Sequence, residues 1–171
     1  MNLQNRYLAE AALRHLLLEA QVEGIRFTPN LQLLIKKSKK TLLQGQIYLS
    51  LESRWMLWST EPEKLPAHED DIPELSIEEE LKTLYALREQ VITDVQLGEL
   101  SPHLTLTLAS GHILFMNGKH DLYECWQVGV SRERPEESWM IVSCPGDDIA
   151  VWAPQQFADV VLTPEVSLML I

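Results

Sequence analysis

The side chains of this sequence that could do chemistry are mainly histidines, cysteines and clustered carboxylates. His112 and His120 flank one apolar run, and a histidine pair in that arrangement could exchange protons as general acid and base. Cys125 lies between Glu124 and Trp126 in an alternating run, where a thiol is usually packed rather than reactive. No zinc-ligand spacing, serine-nucleophile elbow or phosphate-binding glycine loop occurs. The sequence therefore predicts no catalytic residue, no cofactor and no metal ion.

Residues 61–75 form a segment rich in proline and acidic side chains. His68, Glu69, Asp70 and Asp71 follow one another directly, but neighbouring carboxylates without a scaffold favour a charged surface loop over a metal site. We expect this loop to be a connection between two parts of the chain. Its carboxylates Glu69, Asp70 and Asp71 are candidate contacts for a protein partner.

Tryptophan spacing gives a second set of candidate binding residues. Trp55 and Trp58 are three positions apart, so a regular strand places them on opposite faces and only one can point into the core. The other is a candidate surface anchor, since tryptophan is enriched at binding hot spots; a bulge or a covering segment is the alternative. Trp126 and Glu124 occupy the corresponding run later in the chain and complete the set.

Composition restricts the classes of partner. The 171 residues contain 14 lysines and arginines against 25 aspartates and glutamates, a net charge of −11. This excess argues against phosphate backbones and anionic membranes and suits a basic protein partner. No apolar run is long enough to span a membrane, and the first residues lack a secretory signal pattern. With only Cys125 and Cys144, both expected to be reduced, we expect a cytoplasmic protein.

Hydrophobic periodicity predicts an α+β fold. Amphipathic helices are expected over residues 5–22 and 76–90, the second opened by a Ser76-x-x-Glu79 capping box. Alternating apolar runs predict strands between and after the helices, with residues 104–152 forming an antiparallel meander. The predicted strands are 25–27, 31–35, 41–43, 46–51, 55–58, 91–97, 104–108, 113–116, 123–130, 139–144, 149–152 and 160–162.

The order of these elements suggests an internal duplication. Each helix precedes a strand, and Leu31–Ile35 then matches Leu104–Leu108, Thr41–Leu43 matches Ile113–Phe115, and the run around Trp55 matches the run around Trp126. Each half would be one helix on one antiparallel sheet, and the two would share a core. The predicted boundaries are 1–60 for the first half, 61–75 for the acidic linker, and 76–171 for the second half with its tail.

Residues 91–153, and more faintly 22–58, resemble a bacterial family of small β-rich domains of unknown function. Tyr123-Glu124-Cys125-Trp126 and Cys144-Pro145-Gly146-Asp147, followed by Trp152, carry the resemblance. Asp147 departs from the family pattern, which has a second glycine there. Some families of this kind look like immunity proteins of bacterial toxin systems, so the resemblance implies binding to a toxin.

Two functions follow as hypotheses. The first is a non-enzymatic protein-interaction module of bacterial type, similar to an immunity protein, that binds a protein partner with basic character. The second is a small-molecule or enzymatic pocket between the halves, formed by tryptophans with His112, His120 and Glu124. The apolar end Val166–Ile171 also suggests a homodimer, since such a segment needs a surface to cover it.

Overall fold

The computed structural model describes residues 1–37, 43, 45–131 and 134–163, and within them the chain is α+β, as predicted. Three helices are described: α1 (Leu3–Leu17), α2 (Ile77–Leu87) and α3 (Gln155–Leu162). The third replaces the strand expected at 160–162, because Phe157 and its neighbours follow a helical rather than an alternating apolar pattern. The apolar end Val166–Ile171 lies outside the described residues.

The larger sheet has six antiparallel strands in the order β1-β2-β3-β8-β9-β10. Its strands are β1 (Ala20–Arg26), β2 (Gln32–Lys37), β3 (Gln46–Leu51), β8 (Trp126–Ser131), β9 (Met140–Cys144) and β10 (Asp148–Trp152). The smaller sheet has four, in the order β4-β7-β6-β5. Its strands are β4 (Trp55–Trp58), β5 (Ile92–Leu97), β6 (Leu104–Leu108) and β7 (Ile113–Met116).

The single meander predicted for residues 104–152 is wrong. β6 and β7 belong to the smaller sheet, whereas β8 pairs with β3 in the larger one. The chain therefore changes sheet between Met116 and Trp126. Alternation indicates which side chains are buried, but it does not specify the sheet that a strand joins.

The two halves exchange their fourth strands. β1, β2 and β3 pair in sequence and receive β8 from the second half, while β5, β6 and β7 pair in sequence and receive β4 from the first. Trp55 and Trp126, each the first residue of an exchanged strand, lie opposite Met116 and Leu51 respectively. One order of elements thus occurs twice.

The backbone repeats this correspondence at the junction of the halves. Glu19 and Glu89 both follow a helix and both have positive φ, 62° and 66°. The amide of Glu19 donates to the Ile92 carbonyl and that of Glu89 to the Val22 carbonyl, each over 2.8 Å. These reciprocal bonds enclose a bridge between Gln21 and Val91, so residues 70 positions apart play the same part.

The proposed match of Thr41–Leu43 with Ile113–Phe115 falls mostly outside the described residues, and the described strand pairs favour a different match. The strand equivalent to β7 is β3, since Leu33 pairs with Leu49 as Leu106 pairs with Leu114. Thr41 and Leu42 lie outside the described residues. The connection from β2 to β3 is longer than the one from β6 to β7, and this difference in length shifts the alignment.

Candidate functional site

The site is built from the two chain segments that cross between the sheets. Glu52 donates its amide to the Cys125 carbonyl over 3.0 Å, and Asn117 donates its amide to the Arg54 carbonyl over 3.1 Å. Each segment leaves one sheet and enters the other, so these bonds join the two crossings back to back. The side chains of residues 52–54 are thereby held at a fixed position on the surface.

A buried hydrogen-bond network lies beneath these crossings. The fully buried Asn117 donates its side-chain amide to the Ser53 hydroxyl over 2.7 Å and lies 3.7 Å from the Cys125 sulfur. The Ser53 hydroxyl in turn donates to the Glu69 carboxylate over 2.8 Å. Burial raises the pKa of the Cys125 thiol to about 11, which keeps it protonated at neutral pH. The network positions Glu69, and the raised pKa leaves Cys125 mainly in its thiol form.

Above this network lies a cavity of about 350 Å³ that we call the acidic pocket. Four carboxylates line it, and the cavity also includes Arg54, Trp55 and Leu75. The lining carboxylates are Glu52, Glu69, Glu74 and Glu80. Negative charge therefore exceeds positive charge at the pocket, which favours a cationic group from a partner.

Arg54 fixes the acidic segment to the body of the protein. Its guanidinium donates to the Ile72 carbonyl over 3.3 Å and lies 3.8 Å from carboxylate oxygens of Asp70 and Glu74. Ile72 is itself buried, and Glu69 accepts the Arg54 backbone amide over 3.1 Å. The segment expected to be a simple connection is thus docked along part of its length.

Unfavourable charge remains at the rim of the acidic pocket. Partial burial, and then the neighbouring carboxylate of Glu124, raise the pKa of Glu52 above its usual range. A raised pKa means that the ionised form is disfavoured where it lies, and a cation bound nearby would relieve this. Glu124, a candidate from the sequence, is exposed and therefore contributes charge next to Glu52.

The predicted tryptophans occupy different environments. Trp55 and Trp126 both belong to the hydrophobic core, and the Trp126 indole donates to the Pro102 carbonyl over 2.8 Å. Trp58 faces the other side of its strand, half-buried, with its ring 5.5 Å from that of Phe115. Of the three, Trp58 is the most accessible to a partner, while Trp55 reaches the wall of the acidic pocket.

The acidic residues next to Glu69 have local structural contacts. Asp71 accepts the backbone amides of Ala67 and His68, and these hydrogen bonds lower its pKa. Asp70 is almost fully exposed beyond Arg54. The two carboxylates therefore border the acidic pocket rather than line it.

The two histidines of the alternative hypothesis lie in separate turns. His112 contacts the Ser110 hydroxyl over 2.9 Å, and His120 accepts the amides of Leu122 and Tyr123. An imidazole that accepts a backbone amide stabilises its own turn. These contacts give each ring a local structural role.

Helix α2 adds an apolar surface next to the acidic pocket. Its capping box is confirmed: the Ser76 amide donates to Glu79 over 2.9 Å, and the Glu79 amide to the Ser76 hydroxyl. Three apolar side chains on this helix, spaced four residues apart, form what we call the α2 stripe. They are Ile77, Leu81 and Tyr85, exposed by 78%, 49% and 73%.

A second cavity, of about 820 Å³, lies on the other side of the acidic segment. His68, His103, Lys119 and Asp147 line it, and one Asp147 carboxylate oxygen is buried without a hydrogen-bond partner among the described residues. The Gly118 amide donates to the His103 ring over 2.9 Å, and burial lowers the pKa of His103. His103 is therefore held neutral, as an acceptor.

Sequence reasoning missed Glu52, Ser53, Arg54, Glu74 and Glu80 as site residues. Arg54 offered a signal, since it is a single cation beside a buried tryptophan in a chain with a large acidic excess. Glu80 lies in the first turn of its helix, where carboxylates suit the dipole, so its position alone does not indicate a site. Nothing in the linear order indicates that residues 52–54 and 69–80 converge.

Other classes of site receive no support from the described ranges. Within residues 1–37, 43, 45–131 and 134–163, no three His, Cys, Asp or Glu side chains are placed so that they could hold a metal ion. No described helix has the length and hydrophobicity needed to cross a bilayer. Comparisons of the chain with protein-family profiles, curated proteins and solved structures found no match.

Proposed function

We propose that this protein is a non-enzymatic interaction module that binds a basic protein partner, in the manner of a bacterial immunity protein in the cytoplasm. The concentration of charge carries the proposal. Nine of the 25 carboxylates lie within residues 61–80, which contain a single lysine. Arg54 and Glu69 hold this segment against the body, so its charge is presented from a fixed surface.

Local charge of this kind accelerates association with an oppositely charged partner and selects against acidic ones. The acidic pocket offers a place for one cationic side chain of that partner between Glu69, Glu74 and Glu80. A cation bound there would favour the ionised form of Glu52, whose pKa is raised by partial burial and then by the charge of Glu124. The pocket thus determines which partner binds, and the negative charge of the wider surface increases the rate of association.

The test is the rate of association with basic proteins encoded by neighbouring genes, measured by biolayer interferometry at several salt concentrations. Glu74→Gln/Glu80→Gln should weaken a complex by about tenfold or more, the range of a binding hot spot. Glu136→Gln/Glu137→Gln removes equal charge from an exposed turn elsewhere and should leave affinity nearly unchanged. Absence of any complex, or equal losses in both variants, would contradict the proposal.

A small-molecule site is a second candidate, and the unpaired Asp147 oxygen favours it. A buried carboxylate oxygen without a partner is costly, and a ligand with a hydrogen-bond donor would satisfy it. This places the alternative in the cavity with His103 and Lys119, away from His112 and His120. A thermal-shift panel of metabolites, repeated on Asp147→Asn, should give a stabilising compound that the variant no longer binds.

A further inference from the structure

We propose that the α2 stripe is the binding site for a basic amphipathic helix supplied by the partner. The inference rests on the proposed function, because it names the structural class of the element that the acidic partner-binding surface receives. The apolar face of α2 is wider than the part of it that packs against the rest of the protein.

The covered and uncovered parts of α2 are adjacent. Leu84 and Leu87 are buried against the body, whereas Leu81 and Tyr85 point outward from the neighbouring side of the same helix. Residues at positions i, i+4 and i+8 share one helix face. The apolar face of α2 therefore continues into solvent instead of ending at the packed side.

The corresponding part of α1 shows which kind of element packs beside a helix at this place in the fold. Four residues before the equivalent positions Glu19 and Glu89 stand His15 and Tyr85. The His15 ring stacks on Trp139 and lies 5.1 Å from Phe157 of α3. Helix α3 thus packs beside this position of α1, although the His15 side chain itself stays exposed. Within the described residues, no element contacts α2 as extensively as α3 contacts α1.

Charge decides which helix would fit. Lys82 pairs with Glu78 over 2.8 Å, and Arg88 lies 3.5 Å from Glu89, so both cations of the segment already have carboxylate partners. The acidic pocket adjoins the first turn of α2 through Glu80 and Leu75. A helix lying along the stripe would extend basic residues over the pocket. An acidic helix or a second α3, which carries Asp159 and no cation, lacks that complementarity.

The test is selection from a displayed library of helix-forming peptides on the wild-type protein. Enriched peptides should combine apolar residues at three- and four-residue spacing with lysine or arginine on the polar face. Leu81→Ser/Tyr85→Ser should weaken such a peptide by about tenfold or more. The control Leu100→Ser/Leu122→Ser removes two apolar side chains that are together at least as exposed, elsewhere on the surface, and should leave its affinity unchanged.

Each contrary result has a distinct meaning. Basic peptides could bind with equal affinity when the stripe is replaced but lose affinity in Glu74→Gln/Glu80→Gln. The α2 stripe is then not the helix-binding site, whereas the acidic pocket is still supported as the binding site. Enrichment of acidic or non-helical sequences, or of none, overturns the inference. Self-association of the wild type in sedimentation, abolished by Leu81→Ser/Tyr85→Ser, assigns the stripe to a second copy and likewise overturns it.

Discussion

Helices α1 and α2 occupy corresponding places in the order of elements, yet α1 packs against the rest of the fold more extensively than α2. α1 packs against β5, β10 and α3, whereas α2 makes no contact of that extent within the described residues. Five α1 side chains are buried against two in α2. The α1 set is Ala9, Ala12, Leu13, Leu16 and Leu17.

This difference arises from the last elements of the described residues. After the exchanged strand β8, strands β9 and β10 extend the larger sheet, and β10 and α3 pack on α1. The first half has no such extension, because the acidic segment follows β4 directly. The packing around the two helices therefore differs, and α2 keeps an exposed apolar face.

The largest expected effect separates core from surface. Leu13→Ala in α1 should lower the free energy of unfolding by about 2–5 kcal/mol, since it leaves a cavity at a fully buried site. Leu81→Ala in α2 should change it by less than about 0.5 kcal/mol. Urea denaturation of both variants measures the contrast. Similar losses would mean that α2 is as much a part of the core as α1.

An intermediate effect compares the two exchanged strands. Trp126→Phe and Trp55→Phe remove the same atoms from corresponding positions, but only Trp126 donates to a buried carbonyl, that of Pro102. The Trp126 variant should therefore be less stable by a further 1–2 kcal/mol or so, about the cost of a buried acceptor left unpaired. Denaturant midpoints measured in parallel give the difference, and equal destabilisation would contradict this role of the indole.

A smaller effect concerns pH. Partial burial, and then the charge of Lys37, lower the pKa of His15 below its ordinary value near 6.5. The unfolded chain then binds more protons than the fold, so stability is complete above that value and declines as pH falls below it. His15→Phe should reduce this decline, measured from unfolding curves between pH 8 and pH 5. Tyr85→His places a histidine on the more exposed helix and should not increase the decline, whereas an equal increase would show that the partial burial of His15 has no influence.

Much of the frame was predictable from sequence because strand register follows alternation. Leu31–Ile35 corresponds to Leu104–Leu108 in the register that the structure shows, and Trp55 corresponds to Trp126. Loop length does not follow alternation. The match proposed for Thr41–Leu43 depends on the length of the connection between β2 and β3, so alternation could not establish it. The duplication itself stays a prediction, supported by these correspondences.

The site was less predictable because it depends on tertiary proximity. Glu69 was predicted, but its hydrogen bonds to Ser53 and the Arg54 amide join segments about 15 residues apart around a crossing between sheets. The exposure of the α2 stripe was equally hidden. Leu81, Leu84 and Tyr85 are all apolar residues of the helix predicted over residues 76–90, and only the packing of the body determines which of them are covered.

The most direct test of the account is an amide NMR titration of the full chain with a basic helical peptide selected on the wild type. We expect the changes in amide chemical shift to concentrate in α2 and around Glu69 and Glu74, with α1 and α3 unaffected. Changes concentrated on the α1–α3 contact, or on the cavity beside Asp147, would contradict it.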